Sequence, residues 1–221
     1  MENGVNQEQN GHKNVDIDEK AQKNWIDHLA LFISVILSPF LIIPAFTVII
    51  TDNYSTNKHE FIAWTFIIIF FSTIVPLLNV YIAVKMGKIT DIHVAVREER
   101  KEPFVVAMIS LLIATLILQN IGAPKEVAAL GWVMLVNGIL FFIITLYWKI
   151  SMHLSIFAGL LVSLMALVSF KYIWGFLLLP VLIWARIRRR RHNIYQGIVA
   201  TLLSAICTGV LLKFFGVNLG F

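Results

Sequence analysis

Charge is scarce in this sequence. Of 221 residues only 14% are Asp, Glu, Lys or Arg while 58% are hydrophobic, against roughly 25% charged in an ordinary soluble domain. A soluble chain of this length could not cover so much apolar surface with so thin a polar skin. The charges also gather in short blocks between long uncharged runs, as they do when the solvent is lipid. A single cysteine, Cys207, sits within an apolar run, which excludes a disulfide or cysteine-ligated metal framework. The absence of a repeat of roughly 20 to 50 residues excludes a solenoid. The net charge of +5 is not arranged as an interleaved basic and aromatic surface for stacking bases, so no nucleic-acid partner is expected. The basic residues stand at the ends of apolar segments, where they meet lipid headgroups or anionic ligands.

What is present is a series of apolar runs long enough to cross a bilayer, which takes roughly 20 residues of helix. They cover Leu29–Thr51, Phe61–Val84, Phe104–Leu118, Val127–Trp148, Leu154–Phe170, Tyr172–Trp184 and Ile194–Leu212. The expected fold is all-α, a polytopic transmembrane bundle of about seven spans, with a six-span core as the alternative. Residues 1–24, rich in Asn, Gln, Asp and Lys, read as a polar disordered tail, and 25–221 as the membrane domain. No apolar stretch begins early enough for an ordinary secretory signal, so the first is expected to be a retained helix. The stretch Leu154–Trp184 is too long for one span and short for two. Lys171 near its middle would be costly at mid-bilayer, so a hairpin of two short helices is expected. Of the 18 Lys and Arg residues, all but Lys58, Lys125, Lys171 and Lys213 then fall on one side, and the positive-inside rule makes that side cytoplasmic.

Three polar patches fall on this same side. The first runs from Asp91 through His93, Arg97, Arg100 and Lys101 to Pro103. Arg97 and Arg100, three apart, would share a helical face, and Asp91 would cap that helix. The second is Lys149-Ile-Ser151-Met-His153, and the third runs from Arg186 to Gln196, with His192 and Gln196 four apart. Arginine's planar fork binds phosphate oxygens bidentately. One histidine can attack phosphorus while another protonates the leaving oxygen. Phosphoryl transfer mostly needs positioning and charge neutralisation, which clustered arginines supply. No group of carboxylates is placed to hold magnesium, so a metal-free mechanism without cofactor is expected. Taken singly, each patch has a plainer reading: Arg188–Arg191 as a headgroup-binding run, a lone histidine as an interfacial residue, and Arg97 and Arg100 beside Glu98 and Glu99 as a solvated helix.

Their order and spacing resemble the type 2 phosphatidic acid phosphatases, whose motifs are Lys-x6-Arg-Pro, Pro-Ser-Gly-His and Ser-Arg-x5-His-x3-Asp. Here the third appears as Ala185-Arg186-x5-His192-x3-Gln196, the second as Ile150-Ser151-Met152-His153, and the first as His93-x6-Arg100 followed by Lys101. The resemblance covers about half the chain. It implies a lipid phosphatase with His192 as nucleophile and His153 as general acid. Arg186 and Arg100 would clamp phosphate oxygens with Arg97 as a further clamp, and Ser151 would donate a hydrogen bond to the phosphate. Gln196 would orient His192 in place of the family's aspartate, without its negative charge. The implied substrate is a lipid phosphate monoester or a polyprenyl diphosphate, and membrane lipids are the surrounding partners. Met152 for glycine narrows the second motif, and Ala185 for serine removes a hydroxyl. The alternative is a catalytically weak or inactive homologue that binds anionic lipid through the same arginines. A transporter is disfavoured by the few polar residues in the spans. A prenyltransferase is disfavoured because the paired aspartates Asp16 and Asp18 lie in the tail, away from any span.

Overall fold

A computed structural model describes residues 25–217 except 93 and 95. The N-terminal stretch read as a tail, and His93, lie outside the described residues. Among those described, eight helices and no strand are found. They are α1 (Trp25–Ile36), α2 (Pro39–Tyr54), α3 (Lys58–Lys85), α4 (Lys101–Asn120), α5 (Lys125–Tyr147), α6 (Met152–Leu167), α7 (Leu178–Arg188) and α8 (Ile194–Phe214). A short tight helix, Glu98–Arg100, leads into α4.

Five segments are long and apolar enough to cross a membrane: 58–85, 98–120, 125–147, 170–188 and 194–214. Helices α1 and α2 are apolar and long enough only when taken together, with a bend of 44° between them, so the number of spans by length and composition is five or six. The chain is thus a multi-pass helical membrane protein. The fifth apolar run of the sequence is α6, only 16 residues long, and it is the axis of the bundle, buried along nearly its whole length. Its small residues explain the burial. A Cβ added at Gly159 would meet Ser204 Oγ at 2.7 Å and Thr208 Oγ1 at 3.1 Å, so glycine there lets α6 and α8 approach closely, as small residues do between membrane helices. Large apolar side chains point outward as well as inward: Ile62, Phe66, Ile109, Leu202 and Ile206 are exposed, an arrangement suited to lipid.

The helix breaks follow from the sequence. The α6 helix stops at Leu167, and Ser169 caps a tight helix over Phe170–Leu177 that leads into α7, which puts Lys171 at the hairpin turn. In α3, Pro76 has no N–H for the carbonyl one turn back. The helix widens into a π-turn over Phe70–Ile74, and Ser110 Oγ donates to the Phe71 carbonyl at 2.5 Å.

Helices α2, α4, α6 and α8 all begin at the same end of the bundle. Their starts are held there by contacts between distant stretches. Arg188 Nε meets Asp27 at 2.7 Å, Arg191 Nη1 meets Asp91 at 3.3 Å, and Arg100 Nη1 donates to the Ile150 carbonyl at 3.2 Å. At the other end, Tyr54 Oη donates to the Leu167 carbonyl at 2.7 Å, so α2 and α6 run side by side.

Candidate functional site

The turn carrying His192 is built from two helix caps back to back. At the end of α7 the Arg191 N–H bonds the Arg186 carbonyl and the Arg190 N–H bonds the Ile187 carbonyl. That is the paired closure of a Schellman cap. It requires Arg190 in the left-handed region, at φ 51°, where glycine is the usual occupant. Two residues later the N-terminus of α8 is closed by a reciprocal capping box. The Asn193 side chain accepts from the Gln196 N–H at 2.9 Å, and Gln196 Oε1 accepts from the Asn193 N–H at 3.2 Å. His192 is clamped between the two.

The same glutamine oxygen lies 3.1 Å from His192 Nδ1. Because Oε1 already accepts from the Asn193 N–H, it faces Nδ1 as an acceptor. The proton is therefore on Nδ1 and the lone pair on Nε2. Burial pushes the His192 pKa down to about 3, with Arg186, Arg100 and Lys149 adding to the depression and the Gln196 hydrogen bond opposing it. At neutral pH the ring is uncharged.

His192 shares a cavity of about 170 Å³ with Arg100, His153 and Arg186. Pro39, Phe40, Pro76, Val80, Ile92, Val94, Pro103, Phe104, Ala107 and Met152 form the rest of its wall. The four polar side chains come from three separate stretches of sequence and are nearly inaccessible, at 7% for Arg100, 7% for His153, 5% for Arg186 and 8% for His192. Arg100 is anchored through Nε to the Val94 carbonyl at 2.9 Å, as well as to Ile150. Val94 pays for this by adopting φ 44°, an outlier for a β-branched residue. The Arg186 Nε is buried without a hydrogen-bond partner, and the side chain makes no ion pair among the described residues. Among the described residues, no acidic one lines the cavity.

The electrostatics favour an anion. A buried charge without a partner is costly, and here two guanidinium groups face one space. Helices α2, α4 and α6 present their N-terminal residues Pro39, Pro103 and Met152 to the same space, so the positive ends of their dipoles point there too. Lys149, which opens the second polar patch without a role in the motifs, is a further cation. Burial holds it below its ordinary pKa, and Arg100, Arg191 and Arg186 push in the same direction. Glu98, acting on Arg100 and Lys149, and Asp91, acting on Arg100 and Arg186, offset part of this charge, and Asp91 also pairs with Arg191 at 3.3 Å. Asp91 sits in the loop before the tight helix at 98–100 and does not cap it.

Two other expected site residues are placed differently. Arg97 turns away from the cavity: Nη1 donates to the Tyr147 carbonyl at 2.9 Å and Nη2 meets Glu98 at 2.9 Å, so it closes the C-terminus of α5. Ser151 is fully buried at the start of α6, off the cavity wall, and its Oγ has no hydrogen-bond partner. Asn193 was legible in the Asn-x-x-Gln spacing of a capping box, and is the residue whose own N–H fixes the polarity of Gln196.

Comparison of the chain with protein-family models, with curated proteins and with solved structures finds no match.

Proposed function

We propose that this protein hydrolyses a phosphate monoester or diphosphate carried by a membrane lipid, through a phosphohistidine intermediate. The observation that carries the reading is the meeting of Arg100, Arg186, His153 and His192 on one cavity that no acidic residue lines among the described residues. Arg186 supports it further, since its buried Nε has no hydrogen-bond partner among the described residues.

In this mechanism the two guanidinium groups take the non-bridging phosphate oxygens. The His192 Nε2 lone pair attacks phosphorus. The bond from phosphorus to the lipid oxygen breaks, its electron pair leaves with that oxygen, and protonated His153 supplies the proton. Water then attacks the phosphohistidine while His153 takes up the water's proton. Phosphate leaves and Nε2 recovers its lone pair. Nδ1 keeps its proton against Gln196 throughout. An uncharged starting ring is the reactive form, since a protonated one has no lone pair to give. This assignment of roles follows the resemblance to type 2 phosphatidic acid phosphatases.

The test is phosphate release from a panel of lipid phosphates by purified protein. Release inhibited by vanadate and lost in both His192→Ala and His153→Ala is the expected result. Release unchanged in these variants refutes the mechanism. Stoichiometric binding of lipid phosphate with no release by the intact protein favours the binding-only alternative.

A further inference from the structure

A second cavity, of about 130 Å³, lies deeper in the bundle between α4, α5, α6 and α8. Phe104, Ala107 and Met152 line both it and the candidate site, so the two spaces adjoin across these side chains. Its wall follows α6 from Met152 to Ser163, a rise of about 16 Å at the α-helical spacing. On α4 and α5 it is lined by Met108, Leu111, Met134 and Phe141.

The polar residues on its wall are directed to partners within the protein. Asn137 Nδ2 donates to the Val133 carbonyl at 2.9 Å and to Thr208 Oγ1 at 3.0 Å, and Ser204 Oγ donates to Asn137 Oδ1 at 3.4 Å. The Ser155 and Ser163 hydroxyls donate to the Met152 and Gly159 carbonyls, at 3.1 Å and 2.9 Å. With these groups engaged, the surface that remains is mostly hydrocarbon. A charged head group would find no counter-ion on it, since no Lys, Arg, Asp or Glu lines it among the described residues.

Resting on the lipid-phosphate reading of the adjoining site, we propose that this chamber takes the first part of a single hydrocarbon chain attached to the phosphate, and so selects substrates by the length and width of that chain. The volume sets the number of chains. An engineered apolar cavity of about 150 Å³ admits one benzene, so this one has room for one chain segment and not for two abreast. Met108, Met134 and Met152 are unbranched and can follow a flexible chain. A chain entering here keeps its phosphate among Arg100, Arg186 and His192, whereas a second acyl chain would have to remain in the surrounding bilayer.

The experiment uses a single-chain prenyl phosphonate, which cannot be hydrolysed, with a diazirine in the first part of its chain, close to the phosphonate. It is photolysed with the full-length protein and the cross-links are mapped by mass spectrometry. Cross-links to chamber residues such as Met108 and Met134, suppressed at least tenfold in Gly138→Phe, are the expected result. A Cβ built at Gly138 meets Met108 Cγ at 3.7 Å and no backbone atom within 4 Å, and both residues line the chamber, so the larger side chain is expected to take up chamber space. Cross-links confined to outward-facing Ile109, Leu116 or Ile143, equal in the two proteins, overturn the proposal. A second variant, Met134→Trp, guards against misfolding of the first and is read the same way. Chamber cross-links without phosphate release from the matching prenyl phosphate sink the hydrolase reading alone. Release with cross-links only on the outer surface sinks the chamber alone. In an active protein, the ratio of kcat/KM for long-chain over short-chain phosphates falls at least tenfold in Gly138→Phe, and an unchanged ratio overturns the proposal.

Discussion

The Gln196 amide oxygen lies 3.1 Å from His192 Nδ1 while accepting the Asn193 N–H at 3.2 Å. A charged carboxylate in this position would both select the tautomer and stabilise a cationic ring; the neutral amide does the first alone. Gln196→Leu removes the acceptor and half of the capping box. In serine proteases, loss of the correct tautomer costs about 10⁴ in rate. Here the caps on both sides still hold the ring, and a fall in kcat of about 100-fold is expected, with KM changed less than threefold. Gln196→Glu is expected to retain more activity than Gln196→Leu, because it keeps an acceptor at the same reach. Equal rates for the two variants would show that the hydrogen bond has no part in turnover.

Arg186 is a buried cation that makes no ion pair among the described residues. The residue is 5% exposed and its Nε has no hydrogen-bond partner among them. Replacing buried charges by well-packed apolar residues is often neutral or stabilising, by about 1–4 kcal/mol. Arg186→Met is therefore expected to raise the thermal unfolding temperature of the detergent-solubilised protein while reducing phosphate release more than 100-fold. A destabilised Arg186→Met protein would mean that the arginine holds the fold together, contrary to the role given it.

Much of this architecture was legible in the runs of apolar residues, because period and length report directly on helices in lipid. The hairpin at Ser169 and Lys171 could be read because a mid-bilayer lysine is costly. The single-sidedness of the three patches followed from counting turns. Other features depended on geometry that spacing does not encode. Arg97 and Arg100 are three apart, yet the tight helix between them sends one guanidinium to the end of α5 and the other into the cavity. Asp91 reads as a good N-terminal cap, but it pairs with Arg191, 100 positions away. The bend between α1 and α2, and the shortness of α6, left the number of spans at five or six by length, where counting runs suggested seven.

That divergence of the two arginines can be measured. Arg97→Ala removes a guanidinium that donates to the Tyr147 carbonyl, an exposed position outside the cavity. It is expected to change KM for a lipid phosphate by less than threefold. Arg100→Ala removes a cavity group and leaves the Val94 and Ile150 carbonyls without their donor. Its kcat/KM is expected to fall at least 100-fold. Similar losses in both variants would return Arg97 to the substrate.

Arg190 occupies the left-handed position of the α7 cap at φ 51°, where a Cβ costs about 1–2 kcal/mol and glycine escapes the penalty. Arg190→Gly is expected to stabilise the protein by about 1 kcal/mol, measured as resistance to thermal unfolding in detergent. A loss of stability would show that this side chain makes a contribution larger than the strain it imposes.

The buried His192 ties stability to pH. Its pKa is about 3 in the folded protein and about 6.5 in an unfolded chain. Between these values the unfolded chain binds a proton that the folded one does not, so the folded state loses ground as pH falls. The contribution is intact above about pH 6.5 and disappears progressively on acidification toward pH 3. From pH 7 to pH 5 the loss attributable to this one group is about 2 kcal/mol at 1.36 kcal/mol per pH unit. His192→Gln removes the titration but keeps a side chain of similar reach. Its thermal stability over the same interval is expected to fall less than that of the unsubstituted protein, by about that amount. Parallel acid losses in the two proteins would mean that the ring is already protonated, or open to water, in the folded state, and a protonated ring could not serve as the nucleophile.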